Sequence, residues 1–196
     1  MFTDRRGATK GFTLASQHVH NKSVMSAWGA SIDIRLAELR DAHPIAVMSR
    51  DHIETGLGWK YDAARVMRAI RQRDTCVVVA CERRVPVGFA VMEFGDDRAH
   101  LVLLAVQPRH RRHGVGRRLV DWLLESARTA GIESVHLELR ANNEAAQRFY
   151  RALGFSETVL LPRYYGGREA AMRMIRILRS PGPLPVAWRP PALGQK

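Results

Sequence analysis

The clearest chemical opportunity in this chain is a pair of glycines set behind a cluster of arginines. Val106-Gln107-Pro108-Arg109-His110-Arg111-Arg112-His113-Gly114-Val115-Gly116 joins an apolar run, Leu101 to Val106, to an amphipathic run, Arg117 to Ala130. A strand thus leads through a basic loop into two glycines that open a helix. Helix N-termini present unpaired N–H groups and a partial positive charge. Glycines let the backbone approach an anion with no Cβ in the way. Arg109, Arg111, Arg112, Arg117 and Arg118 add charge around the same point. The chemistry on offer is the binding of a phosphate group. No GxxxxGK(S/T) and no GxGxxG occurs, because Gly116 is followed by Arg117, Arg118 and Leu119. The competing reading is a tight strand-to-helix turn with surface arginines.

Other groupings carry less. His18 and His20 have metal-ligand spacing, but no further ligand lies nearby, so no metal site is expected. Cys76 and Cys81 flank the run Val77 to Ala80 and belong to one strand, too stretched for an easy disulfide. Free thiols suit a reducing cytoplasm. Net charge is +12, which favours anionic partners: the phosphates of a cofactor, an acidic substrate, or RNA on a ribosome. No RNP-like aromatic motif, zinc knuckle or KH loop is present, so direct nucleic-acid binding is not expected. No apolar run approaches the ~20 residues of a membrane helix, and the first thirty residues lack the apolar core of a secretory signal.

The elements that must position the loop follow from periodicity. The chain of 196 residues is long enough for one domain with a sizeable core. Residues 1–30 read as a flexible arm, 31–179 as the domain, and 180–196 as a Pro-rich tail. Ile32 to Leu36 reads as a strand. Asp41 to Ile53 reads as a helix, with Asp41 as its cap and Pro44 in its first turn. Glu54 to Lys60 is a loop, and Asp62 to Gln72 a second helix. Cys76 to Cys81, Val87 to Phe94 and Ala99 to Val106 are strands, the last apolar enough for burial on both faces. A helix spans 114–130, closed by Gly131. Val135, Leu137 and Leu139 alternate with His136, Glu138 and Arg140 as in a strand. Asn142 then caps a helix carrying Ala145, Ala146, Phe149, Tyr150 and Leu153, which Gly154 ends. Glu157 to Leu161 and Ala170 to Leu178 close the domain as strands. The order implies an α/β layered fold around one mixed sheet.

Three motifs now give the chain a family likeness. Arg111, Gly114 and Gly116 fill the defined positions of Q/R-x-x-G-x-G/A, the acetyl-CoA motif of the GNAT acetyltransferase superfamily, with Val106-x-Pro108 as its lead-in. Many members carry a glycine where Arg112 stands. Leu137-Glu138-Leu139-Arg140-Ala141-Asn142-Asn143 through Phe149-Tyr150 to Gly154-Phe155 resembles the pattern LEVRxSNxxAxxLYxxxGF of the RimI-type N-alpha-acetyltransferases. Arg163-Tyr164-Tyr165 with Glu169-Ala170-Ala171-Met172 resembles the RxYY…EDAxxM ending of that group, although Ala170 replaces its Asp. The likeness spans Ile32 to Leu178. It implies a GNAT-type layered fold: one mixed, mostly antiparallel sheet, helices on both faces, and central strands 99–106 and 134–140 splayed to admit a thioester arm.

The resemblance also implies roles. Acetyl transfer from acetyl-CoA to an amine needs a neutral amine, a stabilised carbonyl oxygen and a protonated leaving thiolate. Backbone N–H groups of Leu104, Ala105 and Val106 would serve the oxygen. Arg111, Arg112, His113, Gly114, Val115 and Gly116 would hold the CoA phosphates, and Asn143, alternatively a helix cap or first-turn residue, would contact its arm. Tyr150 would be the general acid, a phenol that stays protonated at neutral pH, or else a packed aromatic. Glu138 lies 150 − 138 = 12 positions earlier and would be the base, or else a solvated strand residue paired with a nearby arginine. Glu54, His100 and His136 are further candidates. Tyr164 and Tyr165 would wall the acceptor site, or pack as an aromatic turn. No metal is needed, and Cys76 and Cys81 lack a flanking base for a covalent route. The implied reaction is direct attack in a ternary complex on a protein N-terminal α-amine, with a ribosomal protein as one acceptor class. The alternatives are a small-molecule amine or lysine acceptor, and a non-catalytic acyl-CoA-binding or RNA-associated module.

Overall fold

A computed structural model of the chain describes residues 31–179. The arm at 1–30, with its His18 and His20, and the tail at 180–196 lie outside the described residues. The element order is β1 (Ile32–Leu36), α1 (Ala42–His52), α2 (Ala63–Arg71), β2 (Thr75–Glu82), β3 (Val85–Phe94), β4 (Arg98–Val106), α3 (Val115–Thr129), β5 (Ser134–Arg140), α4 (Glu144–Arg151), β6 (Ser156–Tyr165) and β7 (Glu169–Ile177). The strands form one sheet in the order β1-β2-β3-β4-β5-β7-β6. Only β4 and β5 pair in parallel, so the sheet is mixed and mostly antiparallel.

Alternation along the strands builds a core on each face. In β2, Cys76, Val78 and Ala80 join a cluster with Leu119, Leu123 and Ala127 of α3 and Tyr150 of α4. Val77, Val79 and Cys81 point the other way, into a cluster with Ile45 and Met48 of α1 and Val66 of α2. Two buried faces explain why β2 and β3 are apolar almost throughout. Both cysteines are buried and unpaired by disulfide. No helix among the described residues is long and apolar enough to cross a membrane.

One irregularity in β4 matters for the site. Leu103 pairs with Val91 but Leu101 pairs with Met92, which leaves Val102 as an extra residue. Such a bulge reverses the alternation. Accordingly Ala99 and Leu101 face the α3 side, while Leu103 and Ala105 face the α1 side. The continuous apolar run hid this switch. β4 and β5 pair only from Arg98↔Ser134 to His100↔His136. Beyond those residues they diverge, as the splayed strands required.

Several boundaries differ from expectation. Asp41 occupies the position before α1, but its carboxylate does not cap that helix. It accepts from Arg35 at 2.6 and 3.0 Å and from the Glu38 amide at 2.7 Å. Asn143, not Asn142, caps α4, through an Oδ1 contact of 3.1 Å with the Ala146 amide. Helix α3 begins at Val115, with Gly114 outside it in a left-handed conformation. β6 continues through Pro162 to Tyr165. Proline is tolerated there because β6 is an edge strand.

Candidate active site

The basic loop folds as an anion cradle. Pro108–His110 form one turn of 3-10 helix, followed by Arg112 at φ 66° and Gly114 at φ 78°. Left-handed residues next to right-handed ones turn successive N–H groups inward, a nest that favours anions. The first amide to enter the α3 ladder is that of Arg118, which donates to the Gly114 carbonyl. Among the described residues, the amides of 112–117 have no backbone acceptor. This row of free donors, rather than any one side chain, fits a phosphate. The left-handed backbone of Arg112 accounts for the glycine common there in the family motif. The exposed Arg111 side chain is anchored at one point: its Nε donates to the Val106 carbonyl at 2.9 Å, tying the loop to the strand before it.

From the loop, the gap between β4 and β5 opens as a cleft of about 390 Å³. Its walls include Leu101 to Leu104 of β4, Glu138 to Arg140 of β5, Tyr150 of α4 and Tyr165 of β6. Backbone polarity along β4 follows from one bond. The Gln107 amide donates to Val87 of β3. Antiparallel alternation then directs the Ala105 amide to β3 and the Leu104 and Val106 amides into the gap. The expectation for Ala105 is therefore corrected: its amide serves the sheet, and its neighbours on either side supply the free donors.

Tyr150 is 8% exposed and stacks edge-on against Phe149 and Phe155, with centroids 5.1 and 5.5 Å away. Burial, with a smaller contribution from Tyr165, pushes its phenol well above the ordinary value. It therefore stays protonated, as a proton donor must. Among the described residues its hydroxyl has no hydrogen-bond partner, although the side chain lines the cleft. The ring thus belongs to the core while the side chain reaches the cleft.

Glu138 is held tightly. Its side chain is 4% exposed, with Oε2 at 2.7 Å from Nε2 of His100 and Oε1 accepting from Nε of Arg173 at 2.7 Å. The His100 hydrogen bond, aided by Arg173 and opposed by burial, lowers its pKa to about 2. The carboxylate is thus ionised and oriented in the cleft, but weakly basic. His136, two residues earlier on the same face, stacks on His100 at 4.6 Å with 6° between planes. An arginine partner was the alternative expected for a solvated Glu138; the structure makes it Arg173, adds the His100 contact and buries the carboxylate. Glu54 is placed elsewhere, accepting from Ser49 Oγ, the Lys60 amide and the Tyr61 amide, so it shapes the loop after α1.

That loop forms the rim of the cleft, with His52, Ile53, Thr55 and Leu57 in its lining. Arg140 links it to the opposite rim, donating to the Thr55 carbonyl at 2.5 Å and to the Glu169 carboxylate at 3.2 Å. Tyr165 meets Tyr164 edge-on at 5.0 Å. Tyr165 lines the cleft, while Tyr164 is 46% exposed beside it. Asn143 also lines the cleft, but its Oδ1 is already occupied as the α4 cap.

Comparison with known proteins agrees with this architecture. Ribosomal protein bS18-alanine N-acetyltransferase of Escherichia coli K12 is 38% identical over 89 residues, 44% of this chain and 60% of that protein. An uncharacterized Mycobacterium leprae protein is 42% identical over 120 residues, 59% of this chain and 33% of its own length. The chain thus spans about 60% of the first of these relatives. Among solved structures, Ard1 from Thermoplasma volcanium superposes with a TM-score of 0.67 at 32% identity, covering 76% of this chain and 99% of that one. The Escherichia coli ribosomal-protein-S18-alanine N-acetyltransferase gives 0.67 at 26% identity, covering 77% and 96%. Residues 37–155 match the acetyltransferase (GNAT) family profile, and the chain belongs to that family.

Proposed function

We propose that the chain is an N-acetyltransferase that moves the acetyl group of acetyl-CoA to a protein N-terminal α-amine. The observation that carries this reading is the cleft itself. An ionised Glu138, the Tyr150 hydroxyl and the edge of β4 converge where β4 and β5 part, beside a row of unsatisfied amides. Those amides, at 112–117, would hold the pyrophosphate of acetyl-CoA. The Leu104 and Val106 amides would stabilise the carbonyl oxygen as it gains charge, worth about 3–4 kcal/mol per donor in well-ordered sites.

An α-amine near pKa ~7.8 costs only about 1 kcal/mol to neutralise at pH 7, against about 4.6 for a lysine near ~10.4. A weak base therefore suits an α-amine better. Once its nitrogen bonds to the carbonyl carbon, that nitrogen becomes far more acidic, and Glu138 takes its proton directly or through one water. Tyr150 gives its proton to the departing thiolate. The amine proton and the phenol proton are then exchanged with solvent. Tyr164, Tyr165 and the loop after α1 frame the acceptor. The names of the relatives support a protein N-terminus as acceptor, with a ribosomal protein as one candidate. Two buried free thiols fit a cytoplasmic enzyme.

The test is a substrate panel with acetyl-CoA: peptides with a free N-terminal alanine, the same peptides N-blocked but carrying lysine, and small polyamines. Products are read by mass spectrometry. Acetylation of the free α-amine alone supports the reading. Turnover only on lysine or polyamines overturns the acceptor class, and binding without turnover on any of them overturns the enzyme.

A further inference from the structure

We propose that His100, His136 and Glu138 form a site for a divalent transition-metal ion of the zinc class, whose occupancy inhibits the enzyme by taking the cleft carboxylate. The inhibitory consequence rests on the role assigned to Glu138 above; the binding does not.

The three side chains share one face because of strand geometry. His100 of β4 and His136 of β5 are register partners in the last pair before the strands diverge. Glu138 follows His136 by two positions, so it points to the same face. One ligand atom from each lies within 4.8 Å of the others. Two imidazoles and a carboxylate are a donor set that zinc favours. With bonds of about 2.0–2.1 Å, tetrahedral donors stand roughly 3.4 Å apart. The His100–Glu138 pair at 2.7 Å must open slightly and the wider contacts must close. The adjustment would fall on the two rings, now parallel with centroids 4.6 Å apart.

The surroundings are prepared for an ion. Arg173 donates to Oε1, the outer hydrogen bond that orients metal-binding carboxylates, and Oε2, which now meets His100, would be the ligand atom. Binding uses the His100 tautomer that carries its hydrogen on Nδ1, which leaves Nε2, now 2.7 Å from Oε2, to face the ion. His100 and His136 also line a solvent-facing pocket of about 440 Å³ with Asp74, Glu93 and Arg98. That pocket gives an ion a path from solvent that bypasses the acetyl-CoA loop. Asp74 and Glu93 offset the positive charge of Arg98 and Arg173. An ion there would draw Glu138 out of reach of the amine proton while leaving the phosphate cradle untouched.

Titration of full-length protein with ZnCl2 by calorimetry, and with CoCl2 by visible absorption, tests the site directly. The expected result is one saturable ion per chain at micromolar concentration, with a cobalt ligand-field band. Turnover should be lost with the same midpoint and restored by EDTA, while acetyl-CoA affinity stays unchanged. His136→Ala, checked by circular dichroism, should weaken metal binding at least tenfold, and His136→Gln should do the same. No saturable binding in the wild-type protein overturns the proposal, as does binding that both His136 variants leave unchanged. Binding without loss of turnover keeps the site but overturns the role of Glu138. If no acceptor turns over, calorimetry and absorption still decide the site.

Discussion

Gly114 and Gly116 sit two residues apart, yet alanine should act on them in opposite ways. Gly114 has φ 78°, and an added Cβ would meet no atom within 4 Å. Its cost is purely conformational, roughly 1–2 kcal/mol for an L-residue held left-handed. If the free loop keeps its shape, Gly114→Ala lowers stability by that amount, a fall of roughly 2–8 °C in Tm for a domain of this size. If the free loop relaxes, the same energy appears in binding, as an acetyl-CoA affinity about 5- to 30-fold weaker. Gly116 lies inside α3 with ordinary backbone angles. An added Cβ there would touch Phe149 at 3.4 Å and Val106 at 3.7 Å, normal van der Waals contacts. Gly116→Ala should be neutral or stabilise by up to about 1 kcal/mol through helix propensity, with affinity kept within a few-fold. This asymmetry matches a motif that demands glycine at the first position and accepts alanine at the second. Differential scanning fluorimetry and calorimetric titration of acetyl-CoA measure both terms. Equal damage from the two substitutions, or no change in either quantity for Gly114→Ala, would refute the cradle.

Three further outcomes follow from single contacts. Arg112→Gly should raise stability by about 1 kcal/mol in urea denaturation, because φ 66° costs an arginine but not a glycine. Arg111→Ala should weaken acetyl-CoA binding and its salt dependence together, since the tie to the Val106 carbonyl and a nearby charge are both lost; Arg111→Lys should recover the salt dependence more than the affinity. Asp41→Asn should destabilise by about 2–3 kcal/mol, below the ~3–5 of a fully buried pair because Arg35 touches water. Burial favours the protonated Asp41, but hydrogen bonds from Arg35 and the Glu38 amide outweigh it, so its pKa is lowered. That stabilisation is complete above the unfolded pKa of ~3.9 and fades as pH falls through the folded value. Asp41→Asn should therefore flatten the acid limb of the stability profile, and an unflattened limb would assign it to other carboxylates.

The strands and helices were legible because their apolar residues kept a clean period of two or about 3.6. Leu137 and Leu139 went to the core face and Glu138 to the opposite face, into the cleft, as alternation required. The strand–turn–helix course of the basic loop was legible because its order of strand, basic turn, glycines and helix is local. What could not be read depends on contacts distant in sequence or on single backbone angles. The bulge at Val102 sits inside an unbroken apolar run, so no polar residue marked the change of face. His100 and Arg173 reach Glu138 across 38 and 35 residues, and only the β4–β5 and β5–β7 registers bring them together. The expected strand stopped at Leu161, whereas Pro162, tolerated at the sheet edge, lets β6 reach Tyr165. Two adjacent asparagines left the α4 cap ambiguous by one residue.

The central claim is that Tyr150 is a proton donor in an acetyl transferase and not merely an aromatic of the core. Tyr150→Phe keeps the edge-on packing with Phe149 and Phe155 and removes only the hydroxyl. The decisive measurement is kcat and acetyl-CoA Kd, side by side, for wild type and Tyr150→Phe on the best free-N-terminus peptide. The expected result is a Kd within a few-fold of wild type and a kcat lower by about 10²-fold, the usual scale of general acid catalysis. Full turnover by Tyr150→Phe, or an equal loss in binding and turnover, would contradict it.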